Sequence, residues 1–143
     1  MSASVFNVAF DCGDAYRLAE FWSRVVGHPM DEADRPGDST ARVMMPGGMH
    51  LFFAEVPERK AGGAGGGAAA GAGVGKAGKN PVHLCLQPDG RRDDEVERYV
   101  ALGAKVLDDR REPDGAGWVV FADPEGNEFC VLRSAEERAA MHG

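Results

Sequence analysis

The sequence has 143 residues, of which 43% are hydrophobic and 27% are charged, and its formal net charge is -7. This composition is that of a globular chain long enough for one domain. An acidic chain without a concentrated Lys/Arg surface is unsuited to nucleic acid. No apolar run approaches the roughly 18 residues of a membrane span, and the N-terminus lacks a basic segment followed by an apolar one. We therefore expect a soluble, cytoplasmic protein without nucleic-acid or membrane partners.

The first third of the chain predicts a strand, a helix and further strands. Residues 5–11 alternate, with Phe6, Val8 and Phe10 expected in the core and Asn7 and Asp11 on the other face. An amphipathic helix is predicted to begin after the N-cap Asp14 and to end at Gly27. A short edge strand is expected near 28–32, followed by strands at 41–45 and 49–56 with a Pro46-Gly47-Gly48 turn between them.

Residues 61–78 are almost entirely Gly and Ala, which predicts a flexible linker. The tract contains a GxGxxG match at 73–78 and a near match to a phosphate-binding loop at 73–79. Both motifs require a preceding strand and a following helix, whereas here a Gly/Ala tract precedes and a strand pattern follows. Nucleotide binding is therefore not expected.

The elements then repeat. A strand is predicted at 81–87, a helix at 91–102 ending at Gly103, a short strand at 105–107 and a hairpin at 117–132 around the turn Asp123–Gly126. Ser134 and Glu137 form a capping box that begins a last short helix.

The two halves align with each other. Asn7 falls on His83 and Gly27 on Gly103, while the turn at 46–48 falls on the turn at 124–126. Two βαβββ modules explain this internal repeat, with module one at 4–58, the linker at 61–78, module two at 80–133 and a short helix at 134–142. The predicted fold is α+β, with the paired modules forming a curved, partly closed mixed sheet around a concave pocket.

Several segments resemble the vicinal oxygen chelate superfamily, which includes glyoxalase I, extradiol dioxygenases and bleomycin-resistance proteins. The resemblance is carried by 123–129 (DPEGNEF), by 8–12 (VAFDC) before 18–22 (LAEFW), and by 79–84 (KNPVHL). It covers nearly the whole chain outside the Gly/Ala tract and is strongest to the glyoxalase-like branch. It implies the paired-module fold, a small-molecule ligand in the cavity between the modules, and a homodimer.

The resemblance also implies where a metal would bind, because metal-using members take His or Gln and Glu ligands from the first and last strands of each module. Here those positions fall on Asn7, on Phe52 or Phe53, on His83 and on Cys130. Phe has no donor atom, Asn is a weak one, and Cys favours softer ions such as zinc. Two ligands of mixed softness do not complete a site, so we expect no metal and no other cofactor.

Three widely spaced cysteines, Cys12, Cys85 and Cys130, without a CxxC pair, predict buried reduced thiols. Cys130 is interpreted as a small core residue, with a nucleophile or pocket residue as the alternative. Trp22 and Trp118 are expected in the core, although Trp118 on a cavity-facing strand could stack on a planar ligand.

His83 is either a hydrogen-bonded pocket or core histidine, or a group that orients the substrate or acts as a general base. Asp11 either caps a turn or faces the same cavity, and Glu128 is either a solvated acid or a group at the cavity mouth. The predicted catalytic residues are His83, Asp11 and Glu128. The predicted ligand-binding residues are Asn7, His50, Phe52, Trp118 and Cys130.

Two functions follow from this set. The first is a binder of a small, planar or carbonyl-bearing metabolite that acts as a metal-independent lyase or isomerase, with His83 as base. The alternative is a non-catalytic sequestering protein of the bleomycin-resistance type. A third hypothesis is a metal-dependent lyase or dioxygenase, which is disfavoured because too few metal ligands are present.

Overall fold

The computed structural model describes Ser2, residues 4–59 and residues 82–142. These residues belong to two compact units, one within Met1–Gly73 and the other within Val74–Gly143. The Gly/Ala tract at 61–78 and the motif matches inside it lie outside the described residues. Within the part of the chain that is described, no helix combines the length and the apolar character needed to cross a bilayer.

Unit one contains a three-stranded mixed sheet with a helix packed on one face. The sheet order is β1-β3-β2, with β1 parallel and β2 antiparallel to the central β3. The elements are β1 (Asn7–Cys12), α1 (Ala15–Val26), β2 (Thr40–Met44), a 3-10 turn (Pro46–Gly48) and β3 (His50–Glu55).

Local signals define α1 at both ends, as the sequence predicts. The side chain of Asp14 accepts a hydrogen bond from the backbone N–H of Arg17 at 3.2 Å, which caps the first turn. Gly27 ends the helix in the left-handed region at φ 73°. The buried stripe of α1, including Leu18 and the fully buried Trp22, packs against β2 and β3.

Two predictions for unit one are wrong in detail. Phe6 is 72% exposed rather than in the core, because it precedes β1 and lies outside the paired ladder. Phe10, within β1, does pack inward and stacks on Phe53 with ring centroids 4.9 Å apart. The expected edge strand at 28–32 is reduced to one isolated bridge between Met30 and Val43.

Unit two has the complete βαβββ order. Its sheet runs β4-β7-β6-β5, with β4 parallel to β7 and the remaining pairs antiparallel. The elements are β4 (Leu84–Leu86), α2 (Arg92–Leu102), β5 (Lys105–Asp109), β6 (Val119–Ala122), β7 (Glu128–Val131) and α3 (Ala135–His142). The α+β class is therefore confirmed, with two mixed sheets. Within the described residues neither sheet closes on itself, and the concave pocket remains a prediction.

The hairpin turn between β6 and β7 is organised by one buried carboxylate. Asp123 is 4% exposed and its Oδ1 accepts the backbone N–H groups of Glu125 and Asn127, both at 2.9 Å. The Asn127 side-chain amide donates to the same carboxylate at 3.0 and 3.1 Å. These bonds satisfy a buried charge and set the residue at which β7 begins.

Aromatic rings form the core between α2 and its sheet. Phe121 and Phe129 are register partners and stack with centroids 5.4 Å apart, and Tyr99 of α2 meets Phe121 edge-on at 5.8 Å. Such contacts add about 0.5–1.5 kcal/mol each beyond area burial. Trp118 is not in this core and is 42% exposed. It directly precedes β6, and its side chain points to the sheet face opposite to that of the buried Val119.

Candidate functional site

Four of the predicted site residues lie on one face of the sheet in unit one. Parallel register pairs Asn7 with His50, Ala9 with Phe52 and Asp11 with Ala54. Because alternate residues of a strand point to opposite faces, this set lies opposite the face that packs on α1. We call it the far face of unit one, and its predicted site residues are Asn7, Asp11, His50 and Phe52.

His50 is the most enclosed polar group on this face, at 4% exposure. Its Nε2 lies 3.4 Å from Nδ2 of Asn7, and the tautomer of the ring determines which of the two nitrogens donates. The Phe6 ring meets the imidazole edge-on at 5.0 Å, and Phe52 does so at 6.3 Å. Asn7 and His50 therefore form a local polar pair inside an aromatic surround, whereas Asp11 is exposed.

Arg42 is a further residue of this face, beyond those predicted from the sequence. It is the register partner of Phe52 on β2, so it also lies on the far face of unit one. Its guanidinium forms an ion pair with Asp31 at 2.7 Å, and its side chain is 42% exposed. The alternation of Thr40-Ala41-Arg42-Val43-Met44, with Ala41 and Val43 buried, was the signal that could have placed it.

The other four predicted residues share a face in unit two. Glu128 and Cys130 alternate on β7 with Phe129 and Val131, which are fully buried. Val120 of β6 is the register partner of Cys130, and Trp118, two residues before Val120, points to the same side of the sheet.

His83 directly precedes β4 and lies two residues before Cys85, so both side chains point to the same side of the sheet. We call this face, opposite the Tyr99 core, the far face of unit two.

The structure adds a third residue to the pair His83 and Cys130. Cys85 is the register partner of Cys130 on the neighbouring parallel strand. The ligand atoms of His83, Cys85 and Cys130 all lie within 4.8 Å of one another. Cys85 is exposed, which corrects the prediction of a buried thiol, whereas Cys12 and Cys130 are buried as predicted. None of these three cysteines, all within the described residues, forms a disulfide.

A hard-metal site of the kind the resemblance implies does not fit these residues. Phe53 points into the core and Phe52 supplies only a ring, so neither provides the carboxylate oxygen that such a site needs. Asn7 is engaged by His50, and Cys130 replaces a hard oxygen with sulfur. We therefore derive no chemistry through a glutamate-ligated divalent ion.

Three of the shifted pKa values belong to a charged cluster of Asp93, Asp109 and Arg111. The Arg111 guanidinium hydrogen-bonds Asp109 and lowers the pKa of that carboxyl to about 2. Burial alone would raise the pKa of Asp93, but hydrogen bonds from Arg111 and Arg92 lower it. Arg92 is 4% exposed and donates to the backbone carbonyls of Ala116 and Gly117, at 3.3 and 3.0 Å. This cluster anchors the loop before β6 and has a structural role.

Comparison with known proteins is consistent with the fold. Residues 7–132 match the family described as "Glyoxalase-like domain". The chain therefore belongs to the glyoxalase-like domain family, within the vicinal oxygen chelate superfamily that the sequence resembles. No protein of curated function matches the sequence.

Solved structures with the same fold include proteins of several kinds. A glyoxalase/bleomycin resistance protein/dioxygenase family enzyme from Burkholderia phytofirmans is 18% identical, with a TM-score of 0.59 over 90% of this chain and 97% of that one. TnmS3, an antibiotic binding protein from a Streptomyces species, is 20% identical with a TM-score of 0.57, covering 94% and 98%.

A variant of FosX, the fosfomycin resistance protein of Listeria monocytogenes, was solved with Mn(II) and a dihydroxypropylphosphonic acid. It is 14% identical with a TM-score of 0.61 and covers 100% of both chains. At these identities the likeness concerns the fold alone.

Proposed function

We propose that this protein binds a small, planar or carbonyl-bearing molecule on the far face of one of its two units. The observation that carries the proposal is the grouping of aromatic and polar side chains on these faces. Phe52 lies beside Arg42 and His50 in unit one, and Trp118 shares a face with His83 and Glu128 in unit two. Ligand sites characteristically combine apolar and aromatic surface with a few polar groups that orient the ligand.

The proposed activity is binding, with sequestration of a metabolite or antibiotic as its outcome. The mismatch at the hard-metal positions supports this over a glyoxalase-type reaction at a glutamate-ligated ion. That TnmS3 is an antibiotic binding protein, and that FosX is a fosfomycin resistance protein, supports the same class of ligand.

A second candidate is metal-independent proton transfer in a lyase or isomerase reaction, with His83 as base and Glu128, on the same face of unit two, assisting. The exposure of His83 on the far face of unit two favours this candidate, because a substrate could reach its ring. The two candidates share the binding step and differ in whether the ligand leaves chemically changed.

The test is a ligand screen by isothermal titration calorimetry, a signal that the tryptophan and phenylalanine variants retain. Planar and carbonyl-bearing metabolites and antibiotics are titrated into the reduced protein, and every hit is incubated and analysed by NMR for product. We expect at least one hit with a Kd below about 1 mM, weakened by Trp118→Ala or Phe52→Ala. Val100→Ala is a matched control, since Val100 is an exposed apolar residue of α2. A ligand Kd that is unchanged in both Trp118→Ala and Phe52→Ala would contradict the proposal.

Product formation decides between the candidates. A hit that is recovered unchanged supports sequestration of that ligand. A product that forms with the parent protein but not with His83→Gln, at unchanged ligand affinity, supports proton transfer instead.

A further inference from the structure

We propose that His83, Cys85 and Cys130 bind a thiophilic metal ion, with zinc as the expected metal. The metal site inferred from the resemblance takes ligands from both modules and relies on carboxylates. The site proposed here lies within unit two and consists of two thiolates and one imidazole. It goes beyond the proposed function and does not depend on it.

The strand pairing brings these three residues together. Cys85 and Cys130 are direct register partners on the parallel strands β4 and β7, so their side chains lie on the same sheet face. His83 precedes Cys85 by two residues and therefore points to that face as well. Cys85 lies in β4, Cys130 in β7, and His83 in the segment that leads directly into β4.

The distances are compatible with a tetrahedral ion. With Zn–S bonds near 2.3 Å and Zn–N bonds near 2.0–2.1 Å, neighbouring ligand atoms lie about 3.5–3.8 Å apart. In the structure the three ligand atoms lie within 4.8 Å of one another. Closing the longest separation requires a shift of about 1 Å, which the exposed His83 and Cys85 can make by side-chain rotation.

The ligand chemistry selects a soft or borderline ion. Thiolates favour zinc and Cu(I) over magnesium, calcium or manganese, and imidazole suits zinc and copper. Two thiolates neutralise the charge of Zn²⁺. Two Cys and one His are one of the ligand sets that catalytic zinc sites use together with an open fourth position.

The burial pattern agrees with an open site. Cys130 is 9% exposed and would form the floor, whereas His83 and Cys85 are exposed and would form the rim. A bound ion would then present its fourth position to solvent or to a carbonyl oxygen, as a Lewis acid. In that state His83 holds the ion and cannot act as the general base of the proton-transfer candidate.

The sequence alone predicts two of these ligands, which is too few for a site, and therefore predicts a metal-free protein. The third ligand, Cys85, lies beside Cys130 only because β4 pairs with β7. Metal analysis separates the two expectations directly.

The experiment uses tag-free full-length protein, reduced under anaerobic conditions, equilibrated with Zn²⁺ and freed of excess metal by gel filtration. We expect one zinc per chain by elemental analysis. In chelator competition, the zinc affinity of Cys85→Ser should fall at least about 10-fold. Cys12→Ala is the matched control, because Cys12 lies in unit one and should leave zinc binding unchanged.

Cobalt substitution gives a readout that a merely structural role would not change. The Co²⁺ form should show thiolate-to-metal charge transfer, and Cys85→Ser should lose about half of that intensity because one of two thiolates is gone. Cys85 is exposed, so this variant should fold, and circular dichroism checks that it does. Reduced protein that retains no zinc, or a folded Cys85→Ser protein with full affinity and full charge transfer, would overturn the proposal. Because no organic ligand is used, failure here leaves the ligand screen independent.

Discussion

The carboxylate of Glu137 accepts a hydrogen bond from the backbone N–H of Arg92, 45 residues earlier in the chain, at 2.9 Å. The same oxygen accepts the backbone N–H of Ser134 at 3.0 Å, and the Ser134 hydroxyl accepts the N–H of Glu137 at 3.1 Å. One capping box therefore provides hydrogen-bond acceptors for backbone N–H groups at the start of α3 and for one backbone N–H group at the start of α2. It ties the two helices of unit two together at their first turns.

Replacing Glu137 with alanine should destabilise the protein by about 1–2 kcal/mol, because it removes a cap and leaves the Arg92 N–H without its acceptor. Burial would raise the pKa of Glu137, but the N–H donors of Ser134 and Arg92 lower it. A lowered pKa gives stability that is present above the ordinary glutamate pKa of about 4.3 and is lost as pH falls further. The difference in the free energy of unfolding between Glu137→Ala and the parent protein, measured with urea, should therefore be largest at pH 7 and decrease below about pH 4.

Glu136→Ala is the control for this prediction, since Glu136 is an exposed acid on the same turn. It should change the free energy of unfolding by no more than about 0.5 kcal/mol. Equal losses for Glu136→Ala and Glu137→Ala would show that the reciprocal cap contributes nothing.

Gly117 is held in a conformation that only glycine accommodates. Its φ is 89°, and a Cβ there would lie 1.9 Å from the carbonyl oxygen of Arg110. Gly117→Ala should cost about 2–4 kcal/mol, from the positive φ and from the backbone clash together. The measurement is the urea midpoint at constant m-value.

Gly90→Ala is the matched comparison, because a Cβ on Gly90 meets nothing within 4 Å and its φ is not in the left-handed region. That substitution should be close to neutral or slightly stabilising. If both alanine variants unfold at the same urea concentration, the close approach of Gly117 to Arg110 is not a constraint in solution.

Local chemistry explains which parts of the fold the sequence predicts. The helix from Asp14 to Gly27 is marked by a cap at each end, and the capping box of Ser134 and Glu137 is a four-residue signal. The turn after β6 is likewise local, because the Asp123 carboxylate binds groups two and four residues ahead. Such elements can be predicted from the local sequence, because the contacts that define them join residues that are close in the chain.

Long-range pairing explains what the sequence could not give. Cys85 becomes a neighbour of Cys130 only through the parallel pairing of β4 with β7, and no periodicity within one strand specifies that register. Phe6 and Trp118 have core-forming side chains but lie just outside the ladders, so they are exposed. The alternation of residues predicts that His83 and Cys85 share a face, but it does not predict that Cys130 lies beside them.

Arg111 should control the titration of Asp109. Its guanidinium lowers the pKa of Asp109 to about 2, so the contribution to stability is present above the unfolded pKa of about 3.9 and is lost as pH falls towards 2. In Arg111→Gln the pKa of Asp109 should rise towards its ordinary value, as measured by NMR of the carboxyl carbon. The stability change should stay below about 1 kcal/mol, because the Asp109 side chain is 43% exposed.

The neighbouring Arg110 provides the control for that titration. It pairs with Asp108 at 2.6 Å rather than with Asp109, so Arg110→Gln should leave the pKa of Asp109 low. An unchanged Asp109 titration in Arg111→Gln, or an equal shift in both variants, would contradict the assigned pairing.

The two tryptophans should respond differently to a quencher, because Trp22 is fully buried and Trp118 is 42% exposed. Acrylamide should quench the emission in two components, and the accessible one should disappear in Trp118→Phe. Trp22→Phe is the reciprocal variant, in which the accessible component should remain. A ligand bound on the far face of unit two should protect Trp118 from acrylamide and leave Trp22 unaffected, since Trp22 packs between α1 and its sheet. Equal quenching in the two single-tryptophan variants would show that Trp118 is no more accessible than Trp22, and would remove the aromatic group on which the ligand proposal for unit two rests.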